Sequence, residues 1–502
     1  MVSSFCWSCL TRLRQASCTI LPSPTAPRVA TFHSSAVLAK NPLQARRKGP
    51  SMDNGPRYRE TQSARLKKKR PAERTRPPAV GERKAFRKRI VLSNPNALEV
   101  EGLQELSAEN MVDSRLCGSV LALPVPMISQ LRAVEAFKPK QGWSIFRRPG
   151  TVTRRETVEL GRAFDNISGE GAQKGAVIKR IVTGPRKSGK SVHLLQAMAM
   201  AFTKKWVVFA VPEAQDLVRA ISSYAPLSDE NPNVYVQNEA TATLLSRTAT
   251  ANQEVLSKLK VSQEHPGLRT VRPGMTLEDL ANVGVQDHAN SWPVFQALWA
   301  ELTATSASPG LEQYFVPRPP VLVTVDGLGY WMKESAYRTS QHEPIHAHDL
   351  VFVRHFLDLL KPGAGKPTLP NGGALLYATS ASNNPSIYGL DVALKQVVAR
   401  NAGVDPSDPE FPLPAAYSFP DTRVLEALNS LKPTAGREGM LEVQEIGGVS
   451  RDEARGFFEY FARSGILRET ISNTWVSEKW TLSGGGLIGE LEKAGRRLRV
   501  ST

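Results

Sequence analysis

Gly184-Pro-Arg-Lys-Ser-Gly-Lys-Ser191 fits the pattern G-x-x-x-x-G-K-[ST] without a mismatch. Each position of that pattern has a physical reason. Gly184 and Gly189 let the backbone curl until its N–H groups face an anion. Pro185, Arg186, Lys187 and Ser188 fill the span between them, Lys190 reaches the β- and γ-phosphates of a nucleotide, and Ser191 offers its hydroxyl to Mg²⁺. A chance glycine-rich turn is the competing reading, and the flanks argue against it. Val177-Ile-Lys-Arg-Ile-Val-Thr183 reads as a short strand, and Val192 to Phe202, with Leu194, Leu195, Met198 and Phe202, has helical period. That order puts the positive end of a helix at the phosphates.

A second part of such a site is an apolar strand that ends in an acid. Pro320-Val-Leu-Val-Thr-Val-Asp326 supplies it, and Asp326 is expected to hold Mg²⁺ through water. Taken alone, Asp326 is an ordinary strand-end turn residue. Many ATPases place a catalytic glutamate directly after this aspartate. Here Gly327 follows, so no general base is evident. Asp326-Gly-Leu-Gly329 also reads as D-x-x-G, yet no N-K-x-D occurs in the chain, which disfavours a Ras-like GTPase and leaves guanine and adenine undistinguished. Trp206-Val-Val-Phe-Ala-Val211 and Gly373-Ala-Leu-Leu-Tyr-Ala-Thr-Ser380 complete a parallel sheet. Thr379, Ser380, Ser382 and Asn383 leave the last strand where a side chain can sense phosphate, although these types also favour turns. Arg400 and Arg423 are candidates for an arginine given to a neighbouring subunit, and nothing marks either one.

Past residue 420, Val424, Leu425 and Leu428, then Ala454, Phe457, Phe458 and Phe461, have helical spacing. Gly465-Ile-Leu467, Trp475-Val476 and Trp480-Thr-Leu482 read as a small β-ribbon after them. Helix, turn at Gly447-Gly448, helix and ribbon is a winged-helix-like order, suited to a lid or to nucleic acid.

The formal net charge of +17 is unevenly placed. Residues 1–90 hold 21 Lys and Arg against 4 acids, out of 64 and 47 in the chain, which leaves the remainder 43 of each. The first 40 residues carry Arg12, Arg14, Arg28 and Lys40 with many Ser and Thr and no acid, the composition of a mitochondrial transit peptide. A secretory signal lacks support, because no uninterrupted apolar run follows the arginines. Residues 41–90, with Arg46-Arg-Lys48, Lys67-Lys-Lys-Arg70 and Arg87-Lys-Arg89 among Pro and polar residues, cannot bury enough apolar surface to fold alone. This arm is expected to be disordered and to meet a phosphate backbone, with a solvated linker as the bland alternative. Of the four cysteines, Cys6 and Cys9 form a C-x-x-C, but no second pair lies at zinc-ligand spacing, and Cys18 and Cys117 stand apart. No run of about 18 apolar residues suggests a membrane span.

These residues together resemble the death-associated protein three family, which binds guanine nucleotide in the mitochondrial small ribosomal subunit. The resemblance runs over roughly 115–430. It includes Pro126, Leu131, Phe137 and Ser144-Ile-Phe-Arg-Arg-Pro149, then Trp206 to Ala214, Val234-Tyr-Val-Gln237, Leu244-Leu245 and Asn252 to Leu259. Asp405 to Tyr417, with Phe411-Pro-Leu-Pro414, is the most specific block. Pro185 and Arg186 in the loop depart from the family pattern. The resemblance implies a core like the AAA+ and related ATPases, with the strand before Thr379 lying between the loop strand and the Asp326 strand. It further implies contact with small-subunit rRNA and neighbouring mitochondrial ribosomal proteins, leaves room for contact with the large subunit, and makes the nucleotide a structural one.

The sequence therefore predicts an α/β protein: a P-loop NTPase parallel sheet flanked by helices, a small winged-helix-like C-terminal domain and a basic N-terminal arm. The expected divisions are a transit peptide over 1–40, the arm over 41–90, an extension packed on the core over 91–160, the nucleotide-binding domain over 161–420 and the C-terminal domain over 421–502. The leading functional reading is a ribosomal protein of the mitochondrial matrix that binds GTP or GDP, with ATP as the alternative base, together with Mg²⁺. A matrix ATPase acting as a switch or motor is the rival.

Overall fold

Val321–Asp326 and Gly373–Ala378 are buried at every position, and strands covered on both faces have such continuous apolar runs. The computed structural model describes residues 90–168, 175–228, 231–361, 368–381, 387–428 and 440–496. The transit peptide and the basic arm, apart from Ile90, lie outside the described residues, as do Ser382 and Asn383. Everything described below belongs to the unit Pro78–Thr502.

The sheet is built from β1 (Val177–Thr183), β2 (Val207–Val211), β3 (Val321–Asp326), β4 (Gly373–Ala378) and β5 (Leu441–Glu445). Its order is β5-β1-β4-β3-β2, every pair parallel. β4 thus lies between the loop strand and the Asp326 strand, the order the resemblance implies. Parallel pairing brings all carboxyl ends to one edge, where Ala378 is level with Val182 and Asp326.

Period-two alternation divides the core. On one face lie Leu322, Ala374, Leu376 and Ala378, and on the other Val323, Val325, Leu375 and Tyr377. The first face is covered by α1 (Val125–Ala133), α2 (Arg155–Ser168) and α3 (Lys190–Thr203), where Phe164 stacks on Trp206 at 4.7 Å between centroids. The second is covered by α4 (Asn238–Ala251), α5 (Leu277–Gln286), α6 (Ser291–Thr303), α7 (Val351–Asp358), α8 (Tyr388–Asn401) and α9 (Thr422–Leu428). Each fully buried aliphatic or aromatic side chain contributes about 1.5–3 kcal/mol of transfer free energy, so this sheet edge rests on a rigid floor.

The C-terminal region departs from the expected ribbon. α10 (Arg451–Arg463) carries the foreseen stripe of Ala454, Phe457, Phe458 and Phe461 into a separate small core with Val476 and Leu491. But Asn473–Leu482 is a helix, α11, followed by α12 (Ile488–Arg496). Aromatic residues there suggested strand propensity, yet Ser472 caps the helix by accepting from Trp475 N–H, and Trp480 Nε1 donates to Val449 O at 2.7 Å. Local capping and tertiary contacts outweighed propensity. Gly465, read as a strand start, instead closes α10 at φ 74°. No winged-helix ribbon occurs among the described residues. β5, unforeseen, joins the main sheet from within the expected C-terminal span.

Candidate functional site

The loop Gly184–Ser191 leaves β1 at the carboxyl edge and enters α3, whose N-cap is Gly189 at φ 103°. Gly184 has φ 138°, and a Cβ built there would stand 2.2 Å from Ile446 O, so only glycine fits. Lys187 is also left-handed, at φ 68°, and is held from outside. Its carbonyl accepts from Gly489 N–H at 3.2 Å and its ammonium pairs with Glu490, both at the start of α12. Arg154 holds the other side: Nη1 donates to Ser188 O at 2.8 Å and Nη2 to Gly447 O at 3.1 Å. Ser188 is fully buried beneath the loop, while Pro185 and Arg186 are exposed.

A cavity of about 630 Å³ opens over this loop, a usual size for a small-molecule site. It collects Arg186, Lys187, Gly189, Lys190 and Ser191 from the loop, Asp326 from the end of β3, and Thr379 and Ser380 from beyond β4. Gly184, Pro185 and Ser188 support the loop without lining the cavity. Seven Lys and Arg side chains face it against three carboxylates, Glu213, Asp326 and Glu492, so the cavity suits a polyanion. Lys190 Nζ is turned onto Gly184 O at 2.7 Å and Pro185 O at 2.8 Å. Burial lowers its pKa, and the nearby Asp326 carboxylate opposes that shift. His193, one turn further along α3, is driven down to about 3 by burial and by Arg154 and Arg180, and is neutral at pH 7.

Thr379 Oγ1 donates to Val182 O at 3.3 Å, which sets it beside the loop strand. Arg400 lies over the Phe411 ring and Arg423 pairs with Asp349 at 3.0 Å, and neither lines the cavity. Among the described residues no group of three or more His, Cys, Asp or Glu side chains could hold a metal ion alone. The oxygens of Ser191 and Asp326 fit Mg²⁺ in kind, since that ion takes one or two protein oxygens and completes its shell with phosphate and water.

Several lining residues escaped the sequence reading. Lys138 Nζ lies 2.6 Å from Asp326 Oδ2. Two residues beyond the paired Val211 and Val325 come Glu213 and Gly327, so Glu213 enters the cavity beside the position where a glutamate is missing. Ile488, Gly489 and Glu492 of α12 form its far wall. Lys138 and the α12 residues are marked by no local pattern, because each reaches the site from a distant stretch of chain. Cys117 is a free, exposed thiol. No helix among the described residues is long and apolar enough to cross a membrane.

Residues 151–494 match the family described as mitochondrial ribosomal death-associated protein 3. The small ribosomal subunit protein mS29 of Neurospora crassa is 40% identical to this chain over 486 residues, covering 95% of this chain and 97% of that protein. The matched family span holds the whole glycine loop, Asp326, Thr379 and most of α12.

Proposed function

The chain belongs to the mitochondrial ribosomal death-associated protein 3 family, and from that premise we propose that it is a structural component of the mitochondrial small ribosomal subunit that binds a purine nucleotide. The observation that carries the nucleotide reading is the union of the Gly184–Ser191 loop, Lys190 and Asp326 around one cationic cavity. The loop acts as a phosphate-binding P-loop in an AAA+-like core, as the strand order supports. GTP or GDP is the favoured ligand and ATP the alternative. Gly184, Pro185, Arg186, Lys187, Ser188 and Gly189 shape or line the phosphate cradle, Lys190 contacts the phosphates, and Ser191 and Asp326 are the residues that would hold Mg²⁺. Mg²⁺ there would neutralise phosphate charge.

In this reading residues 161–420 bind the nucleotide, 91–160 pack against them, and 421–502 close the cavity from the far side. The transit peptide over 1–40 directs the chain to the mitochondrial matrix, and the arm over 41–90 lies on small-subunit rRNA among neighbouring ribosomal proteins. The reading of the ribosomal role rests on the 40% identity over nearly the whole of both chains. Sedimentation of a mitochondrial lysate tests it: the chain should travel with the small subunit. A free oligomer of this chain, with none on the subunit, would overturn the ribosomal role in favour of a matrix ATPase.

A further inference from the structure

Asp326 closes β3, which lies between β4 and β2, and the side chain that reaches it comes from outside the sheet. Lys138 Nζ lies 2.6 Å from Asp326 Oδ2 and donates to Pro212 O at 2.6 Å, so one ammonium ties the ends of β3 and β2 together. Both carboxylate and ammonium are largely shielded, with side-chain exposures of 10% and 23%. The lysine is delivered by a closed turn. Lys138 N–H donates to Gln141 Oε1 at 2.9 Å, and Gln141 N–H returns to Lys138 O at 3.1 Å. Phe137 and Trp143, both buried, meet edge-on at 5.0 Å beneath it.

We propose that Lys138 is the resident cation of this phosphate site, occupying on Asp326 the place of a phosphate-bridging Mg²⁺, so that the cavity takes a nucleoside di- or triphosphate in its metal-free form. The inference rests on the nucleotide reading above and departs from it on one point: Lys138, not Mg²⁺ on Ser191 and Asp326, is the cation beside the phosphates. Three observations support it. An ammonium bonded to Asp326 Oδ2 repels a divalent ion that needs the same carboxylate. The surplus of cations around the cavity matches the higher negative charge of a free polyphosphate better than that of its magnesium complex. And the turn that carries Lys138 is fixed by its own bonds, which sets this residue beside the site, while Asp326 and Pro212 hold its ammonium.

The test is titration of the full chain with GDP, GTP and ATP, in excess EDTA and again in MgCl₂, read by calorimetry. The wild-type dissociation constant should differ by less than about threefold between the two conditions. Lys138→Met keeps the alkyl stem and loses the charge. It should bind roughly tenfold more weakly in EDTA and recover in MgCl₂. Lys138→Arg should behave as wild type, which separates loss of charge from damage to the turn. Adding Asp326→Asn to Lys138→Met should abolish the recovery by MgCl₂. Wild-type binding that vanishes in EDTA, or equal metal dependence in wild type and Lys138→Met, overturns the proposal. Binding of no nucleotide under either condition overturns the nucleotide reading along with it.

Discussion

Lys190→Ala addresses the phosphate assignment most directly. In the structure its ammonium makes two bonds, 2.7 and 2.8 Å long, to the carbonyls of Gly184 and Pro185. A bound phosphate would draw it off those neutral acceptors onto charged ones. Hydrogen bonds to charged groups contribute about 1.5–3 kcal/mol, and losing one such bond corresponds to roughly ten- to hundredfold in affinity. Surrender of the two carbonyl bonds on binding keeps the expectation towards the lower end of that range. Those carbonyls lie at the mouth of the loop, and water can replace the ammonium in the variant, so the melting temperature should change by only a few degrees. Calorimetric titration of GTP, GDP and ATP into wild type and Lys190→Ala, each checked by thermal melting, gives the comparison. Unchanged affinity for all three nucleotides in a folded variant would refute the argument from the loop.

Turnover should fall well below the ~1–100 s⁻¹ of active phosphoryl-transfer enzymes, since Gly327 replaces the usual glutamate and Lys138 holds Asp326. Phosphate release of several per second without a partner would contradict this, and residual activity should drop in Glu213→Gln, which shares the cavity. Burial pushes His193 down to about 3, and His348 and His355 down to about 4, from an ordinary 6.5. Each is neutral in the fold and gains a proton on unfolding below pH 6.5, so their contribution is intact above that pH and is lost as pH falls towards 4. Three such groups together approach about 4 kcal/mol per pH unit near pH 5. Denaturation between pH 7 and 5 should show a slope that steepens to that value and stays shallower in His355→Phe, whereas a flat profile would mean the histidines are not buried neutral. Finally, RNA affinity should fall linearly in log–log plots against salt, by about 0.7–0.9 per phosphate contacted. Deleting residues 41–90 should flatten the line while nucleotide binding persists, and an unchanged slope would reduce the arm to a linker.

The parts of the site legible in the sequence are those encoded by neighbours in the chain. Val177 to Phe202 specify strand, loop and helix within one short window, and the run ending in Asp326 is buried at every position, so its apolar composition is unambiguous. β5 was missed because Leu441-Glu-Val-Gln-Glu445 is half polar. It forms the sheet edge beside β1, where only some side chains must be buried. The ribbon expected over 465–482 failed for the opposite reason: its tryptophans suit a strand, but one anchors to Val449 and the helix cap forms at Ser472. Ser450 and Glu453 form a reciprocal capping box at the start of α10, a local signal that marks this helical region. Lys138 and α12 carried no such signal. Their place at the cavity depends on how the turn 137–143 and the last helix pack, which no short window contains.

That division bears on what a nucleotide would do here. The cavity is walled by three separate stretches: the turn at Lys138–Trp143 with the short strand Gly150–Val152, which pairs with Val120–Ala122, then the carboxyl edge of the sheet, and the start of α12. Loop and α12 are already joined through Lys187 and Glu490, and the loop and the stretch after Val152 through Arg154 and Ser188. A ligand filling the space between would add contacts across all three. Binding to the folded form alone stabilises it by about 2.7 kcal/mol at a hundredfold excess over the dissociation constant. The bond energy of the ligand is then used to hold distant stretches in one arrangement, and this requires no hydrolysis. On the proposed reading, a site with a lysine on Asp326 and glycine in place of the usual glutamate keeps its nucleotide intact because the ligand serves as part of the fold.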